Sequence, residues 1–447
     1  MKFRHHHMIL SGLLVLVLRL PVSACPELSF PGSAQPGDPV TPFAYSLKIE
    51  PAVMHVRLVY TPVMPDSSSF QYGNLFYGGM TDLLKGMKNL TASVPLRLDT
   101  ANRIITVFHR NQQPVTISWD ITDTHRPEQK VVGEMFRPIL TDQYFFSLSH
   151  TLFLKPLLEK KLADSLWMSV RLDNDPAFPM FFSFAPEIQS GGIARVKLDE
   201  GMDALVTGAS DLCLVKRKLE GVCNYIVLRI SEKNQYDLPL FLNFFDRYMA
   251  AMTNFWGKPR GDYYSLVASP FLDITYHDIS GTAYHAGFHV KYSGDTLLSG
   301  ETRIMTIAHE IMHRYIGAGV VSMGENQQWF DEGFTDYTTW YLLTQSGIMP
   351  REKLPEWIGK TYGELAENPF RDTPNDSVMV HFWENHSYEK LPCGACSQLT
   401  WTRAHKWGNR GSDRTFRDFM HKLNAMADQK KDILTPDDFL FIASVSA

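Results

Sequence analysis

Apolar and polar positions alternate in short runs through the first half of the chain. Residues 54–60, 104–109, 115–119 and 225–230 are rich in β-branched and aromatic side chains, and clusters of Pro, Gly, Asn and Asp separate them. Runs of that length and period read as strands. The stretch 41–230 therefore predicts an antiparallel β-domain, sandwich-like in its layering. Residues 143–153 are aromatic and only loosely alternating, which suits side chains that fill the core of that domain.

Helical spacing takes over afterwards. Phe241, Phe244, Phe245, Tyr248, Met252 and Phe255 recur at steps of three and four residues, the mark of one buried helical face. Residues 265–276 and 283–292 then read as strands leading into an apolar helix around Ile307, Ala308, Ile311 and Met312. Beyond Gly347 the segments 356–365, 397–407, 415–427 and 436–444 have helical patterning. The order predicts a multidomain α+β chain. A β-domain occupies residues 25–205, a unit of sheet and helices 206–347, and a helical region 348–447.

At 447 residues the chain is long enough for two or three separate cores. Hydrophobic residues make up 44% and charged residues 20%, the balance of a globular protein rather than a disordered one. The formal charge of −5 comes with no basic stripe, which sets nucleic acid aside as a partner. Residues 1–24 read as an export signal. Lys2 and Arg4 charge its start, Met8 to Leu18 form an apolar run too short for a membrane span, and Ser23 and Ala24 are small enough for cleavage. Val22-Ser23-Ala24-Cys25 also resembles a bacterial lipobox, in which a lipidated Cys25 would tether the chain to a membrane. Both readings place the protein outside the cytoplasm: periplasmic, secreted or lipid-anchored at the cell envelope. Cysteine usage agrees with export. Cys25 aside, Cys213, Cys223, Cys393 and Cys396 form an even set, and local pairing would join Cys213 to Cys223 and Cys393 to Cys396.

The chemistry concentrates at His309-Glu310-Ile311-Met312-His313. On a helix, His309 and His313 project from one face a turn apart and can fill two corners of a zinc tetrahedron. Glu332, separated from His313 by eighteen residues, can fill the third if a second helix returns antiparallel. Glu310 follows the first ligand directly, where it reaches a water held at the fourth corner rather than the ion. Asp336 lies one turn beyond Glu332 and can accept a hydrogen bond from a ligand imidazole, fixing its tautomer. The apolar flanks Ile307, Ala308, Ile311, Met312 and Tyr315 argue against a solvent-exposed helix, because unpaired His and Glu are costly to bury.

This pattern, continued through Trp329-Phe330-Asp331-Glu332-Gly333-Phe334-Thr335-Asp336-Tyr337, resembles the gluzincin metallopeptidases. It is similar to the M1 aminopeptidases and, around Glu332, to the M61 glycyl aminopeptidases. The resemblance is dense from about Gly281 to Gly347. It implies a thermolysin-like catalytic domain over 206–347, one Zn2+ per chain, a peptide or protein substrate, and hydrolysis with Glu310 as general base. In those families a tyrosine beyond the third ligand steadies the oxyanion, and Tyr388 is its nearest counterpart here, reached only by allowing a short insertion. A glutamate in a Gly-rich strand anchors the substrate amine in aminopeptidases. Gly281-Thr282-Ala283-Tyr284-His285 stands at that place, with Tyr284 where the glutamate belongs. Gly281 and Tyr284 are thus expected to line the substrate cleft, and selectivity for free N-termini is in question. An M61-like aminopeptidase with altered N-terminus recognition is one alternative, and a non-catalytic peptide-binding relic is the other. The retained Glu310 speaks against the relic.

Overall fold

The computed structural model of the chain describes residues 41–50, 52–73, 83–110, 113–124, 137–173, 178–186, 188, 191–229, 238–257, 261–270, 279–292, 298, 300–317, 328–374, 377–378, 381, 387–388, 390–391, 416–430 and 434–446. The expected export signal, Cys25, Cys393, Cys396 and the expected helix 397–407 lie outside these residues.

Three sheets fill the first half. The strands are β1 (Phe43–Glu50), β2 (Val53–Tyr60), β3 (Ser67–Gln71), β4 (Met87–Ala92), β5 (Leu96–Asp99), β6 (Ile104–Phe108), β7 (Val115–Thr122), β8 (Ile139–Leu140), β9 (Tyr144–Leu148), β10 (Lys155–Pro156), β11 (Trp167–Leu172), β12 (Met180–Phe182), β13 (Ile193–Lys197) and β14 (Leu205–Ala209). Their orders are β13-β11-β1-β2-β7-β4, β10-β3-β6-β5 and β12-β14-β9-β8. Burial follows the period of two: Val115, Ile117, Trp119 and Ile121 point inward along β7, and Met54, Val56, Leu58 and Tyr60 along β2. The pairing departs from the all-antiparallel expectation at one place. β1 runs parallel to β11, a partner more than a hundred residues away that no local pattern announces. Two short helices, α1 (Lys160–Ala163) and α2 (Leu198–Met202), connect these strands.

The second half is built on one five-stranded sheet. It contains β15 (Leu212–Leu219), β16 (Val222–Arg229), β17 (Tyr263–Pro270), β18 (Ile279–Tyr284) and β19 (Gly287–Tyr292), in the order β15-β16-β17-β19-β18. β16, β17 and β19 run parallel to one another, and α3 (Leu238–Trp256) provides the crossover that the β16–β17 pair requires. The expected single strand over 283–292 is instead a hairpin. Tyr284 pairs with Gly287, and His285-Ala286 make the turn, with Ala286 left-handed at φ 57°. No Asn-Gly or Asp-Gly marks this turn in the sequence, so it reads as a continuous apolar run.

Both faces of this sheet are covered. Tyr225, Val227, Val267 and Tyr284 join the core of the three N-terminal sheets. Ile226, Leu228, Leu266, Ala268, Phe288 and Val290 face a second core shared with α3, α4 (Glu301–Met312) and α5 (Gln328–Gln345). Helices α6 (Lys353–Glu367), α7 (Phe416–Lys430) and α8 (Pro436–Ser446) complete the eight helices among the described residues. Phe146 of β9 marks the join between sheets. The His289 ring lies 4.3 Å from it and the Lys291 ammonium 4.5 Å, and both polar side chains are buried there. None of the described helices is long and apolar enough to cross a membrane.

The expected Cys213–Cys223 bridge is not formed. Cys213 is a free thiol, and Cys223 is in a disulfide whose partner lies outside the described residues. The hairpin register explains why: Cys213 sits opposite Leu228 and Cys223 opposite Lys218, several pairs apart along the ladder. At about 3.4 Å per residue that separation far exceeds the reach of a disulfide.

Candidate metal centre

Helix α4 buries Ile307, Ala308, Ile311 and Met312 against the sheet, and this fixes the roll of the helix. His309 and His313 then emerge side by side on the remaining face, with ring centroids 4.7 Å apart and planes nearly perpendicular. Helix α5 returns across them and presents Glu332 and Asp336 from successive turns. Glu332 Oε2 lies 3.2 Å from His309 Nε2 and 3.6 Å from His313 Nε2, and the two Nε2 atoms are 3.0 Å apart.

The other nitrogen of each ring is spoken for. His309 Nδ1 donates to Asp336 Oδ1 at 2.7 Å, and His313 Nδ1 donates to the Ile316 carbonyl at 3.1 Å. The second bond depends on Gly317, whose left-handed φ of 78° turns the chain back just after the helix. Both Nε2 lone pairs therefore converge on one point together with a carboxylate oxygen. A tetrahedral zinc ion with bonds near 2.0–2.2 Å sets its donor atoms about 3.3 Å apart, which matches the three observed separations. The chemistry of the donors agrees, since two imidazoles and one carboxylate suit zinc. His309, His313 and Glu332 thus form a site for one Zn2+ per chain, the group among the described residues with metal-binding geometry.

Charge is balanced within the site. Burial pulls the His309 and His313 imidazoles down, but Asp336 and Glu332 beside His309, and Glu332 beside His313, outweigh it and raise both. Burial pushes the Glu332 carboxyl up, yet the two histidines hold it well below the usual carboxylate range. Burial lifts the Glu310 carboxyl, and the neighbouring histidines only partly oppose this. Glu310 projects from α4 toward β18, where its carboxylate lies against Gly281.

Three residues of the site carry no mark in the sequence. The Tyr264 hydroxyl donates to the Glu310 carbonyl at 3.4 Å, and the Arg314 guanidinium lies 4.6 Å over the Tyr264 ring. Ile316 offers only its backbone. Gly317, just past a helical pattern, is the one with a readable signal, that of a helix C-terminus.

Tyr284 lies away from the centre. It alternates to the opposite face of β18 from Gly281, is 4% exposed, and shares a hydrogen bond of 3.1 Å with Ser265. Tyr388 stacks on Phe370 at 4.4 Å in a small cluster with Val378 and Leu391. Among the described residues no hydrogen bond joins Tyr388 to the zinc ligands or to Glu310.

No family model and no curated protein matches the sequence. Solved structures do match the fold. An aminopeptidase N family protein from Idiomarina loihiensis superposes with a TM-score of 0.71 at 15% identity, covering 89% of this chain and 72% of its own. An M1 zinc metallopeptidase from Deinococcus radiodurans gives 0.56 at 12%, covering 91% and 90%. Yeast LTA4 hydrolase gives 0.54 at 14%, covering 94% and 67%. The chain has the fold of the M1 zinc metallopeptidases.

Proposed function

We propose that the protein is a zinc-dependent peptidase. The observation that carries this reading is the pairing of a complete His-His-Glu zinc site with a buried carboxylate, Glu310, beside it. When bound, zinc acidifies its water and polarises the scissile carbonyl. Glu310 would accept a proton from the attacking water and return it to the leaving amine, a role its buried position beside the site allows. Asp336 and the Ile316 carbonyl keep the two imidazoles in the tautomer that leaves Nε2 free. In this reading the five-stranded sheet with α3, α4 and α5 is a thermolysin-like catalytic unit. The N-terminal sheets support it from below, and the helices after residue 347 form one wall of its cleft.

Glu310→Gln tests the mechanism. The variant should keep about one zinc per chain and lose hydrolysis by at least about 10²-fold, the smaller end of general-base contributions. Substantial turnover by that variant would overturn it.

A second reading concerns substrate choice. Tyr284 occupies the position of the amine-anchoring glutamate, but its hydroxyl is engaged by Ser265 on the far face of β18. Nothing at position 284 selects a free N-terminus, which supports cleavage of internal or N-blocked peptides. Comparing otherwise identical free and N-acetylated peptides decides the point: a strong preference for the free amine would favour the aminopeptidase alternative. Export through residues 1–24, by plain secretion or by lipidation of Cys25, completes the proposal. Mass measurement of the mature N-terminus separates these two routes.

A further inference from the structure

Glycine at position 281 has no backbone reason. Its φ lies outside the left-handed region, and it pairs with Val290 in an unbroken antiparallel ladder from Ile279 to Tyr284. Within such a strand glycine is unfavourable, because it packs nothing and loses the most freedom on folding. What singles the position out is the side of the strand it faces. Gly281 looks toward α4, and a Cβ built there would meet Glu310 Oε1 at 2.4 Å, Cδ at 2.5 Å and Cγ at 2.5 Å. These are contacts that real Cβ atoms do not make. Nor can the strand or the helix easily retreat. β18 is held by β19 along its length, and α4 is fixed by Ile307, Ile311 and Met312 in the core below and by Tyr264 at the Glu310 carbonyl.

We propose that Gly281 is a positioning residue for Glu310: the missing side chain is the space that the carboxylate occupies when it is aimed beside the zinc site. This rests on the reading of Glu310 as the general base. A methyl group at position 281 displaces the carboxylate toward solvent or toward the ligands. A misplacement of about 1 Å costs on the order of 10²-fold in turnover. Zinc binding should persist, because the three atoms nearest the glycine's missing Cβ all belong to Glu310, which is not a ligand.

The test is a double-mutant cycle with two readouts. Gly281→Ala should lower kcat about 100-fold, leave KM within a few-fold, and keep one zinc per chain. Combining it with Glu310→Asp, which shortens the side chain by one methylene, should recover part of that loss relative to Gly281→Ala alone. Thermal unfolding supplies an arm that needs no turnover: Gly281→Ala should lower Tm in the wild-type background and leave it nearly unchanged in a Glu310→Ala background. Additive Tm shifts would overturn the steric claim whatever the activity. A strong Tm coupling in a protein with no peptidase activity would leave the steric claim standing and remove the catalytic reading beneath it. A rise in KM with unchanged kcat would show that Gly281 serves substrate binding and not the aim of Glu310.

Discussion

At the scale of single residues, the metal centre depends on hydrogen bonds one step removed from the ion. Asp336 accepts from His309 at 2.7 Å and thereby chooses which nitrogen faces the metal. Removing such a partner commonly weakens metal binding 10- to 100-fold. Asp336→Ala should therefore raise the zinc dissociation constant by about that factor, as measured by competition with a chromophoric chelator, without removing any ligand. The ligands themselves were legible because i and i+4 on a helix always share a face, so spacing alone brings His309 and His313 together. Glu332 was legible for a related reason, since a short return between two helices leaves few arrangements. The contact of Gly281 with Glu310 was not legible. It depends on how closely α4 settles on β18, and that is decided by packing across the sheet.

Helix ends and hairpins show how elements are fixed. Thr435 caps α8 in a reciprocal pair: its hydroxyl accepts from the Asp438 amide at 3.3 Å, and its own amide donates to Asp438 Oδ2 at 2.8 Å. Lys430 of α7 reaches the same carboxylate at 2.5 Å. The Lys430 ammonium, followed by the Thr435 donors, holds the Asp438 carboxyl down at about 2. Because the folded value is depressed, the contribution is fully present above the ordinary carboxylate value and is lost as pH falls toward 2. The protection of α8 amides against exchange, relative to their intrinsic rates, should fall over that range, and Asp438→Asn should remove that fall. Thr435→Ala should destabilise the helix by about 1 kcal/mol in chemical denaturation. The sequence announced α3 well, because it carries an apolar stripe at helical period. It did not announce the turn at His285-Ala286 or the parallel β1–β11 pair. The first lacks turn-type residues, and the second joins segments that only the assembled sheet brings side by side.

On the scale of the whole molecule, metal and fold are coupled. A ligand that binds only the folded state stabilises it by about 2.7 kcal/mol at a hundred times its dissociation constant. Stripping zinc with a chelator should therefore lower Tm, and added zinc should restore it; an unchanged melting curve would count against a zinc site joining α4 to α5. The interior of the chain also crosses the expected boundary near residue 205. Tyr225, Val227, Val267 and Tyr284 of the five-stranded sheet are packed into the same core as Trp119, Phe146 and Phe153. A fragment beginning at residue 206 would bare that whole face, together with His289 and Lys291. Expressed alone, it should be insoluble or bind hydrophobic dyes, whereas two freely separable modules would each give a soluble, cooperative unfolding transition.

That shared interior bears on how such a chain can change over time. A swap of the front half for that of a distant relative would replace the floor under β16, β17 and β19 while leaving their downward-pointing residues behind. Recombination at residue 205 would thus yield mismatched floors and ceilings. Diversification of this architecture is then expected to proceed by substitution within each chain, with Phe146 changing in step with His289 and Lys291.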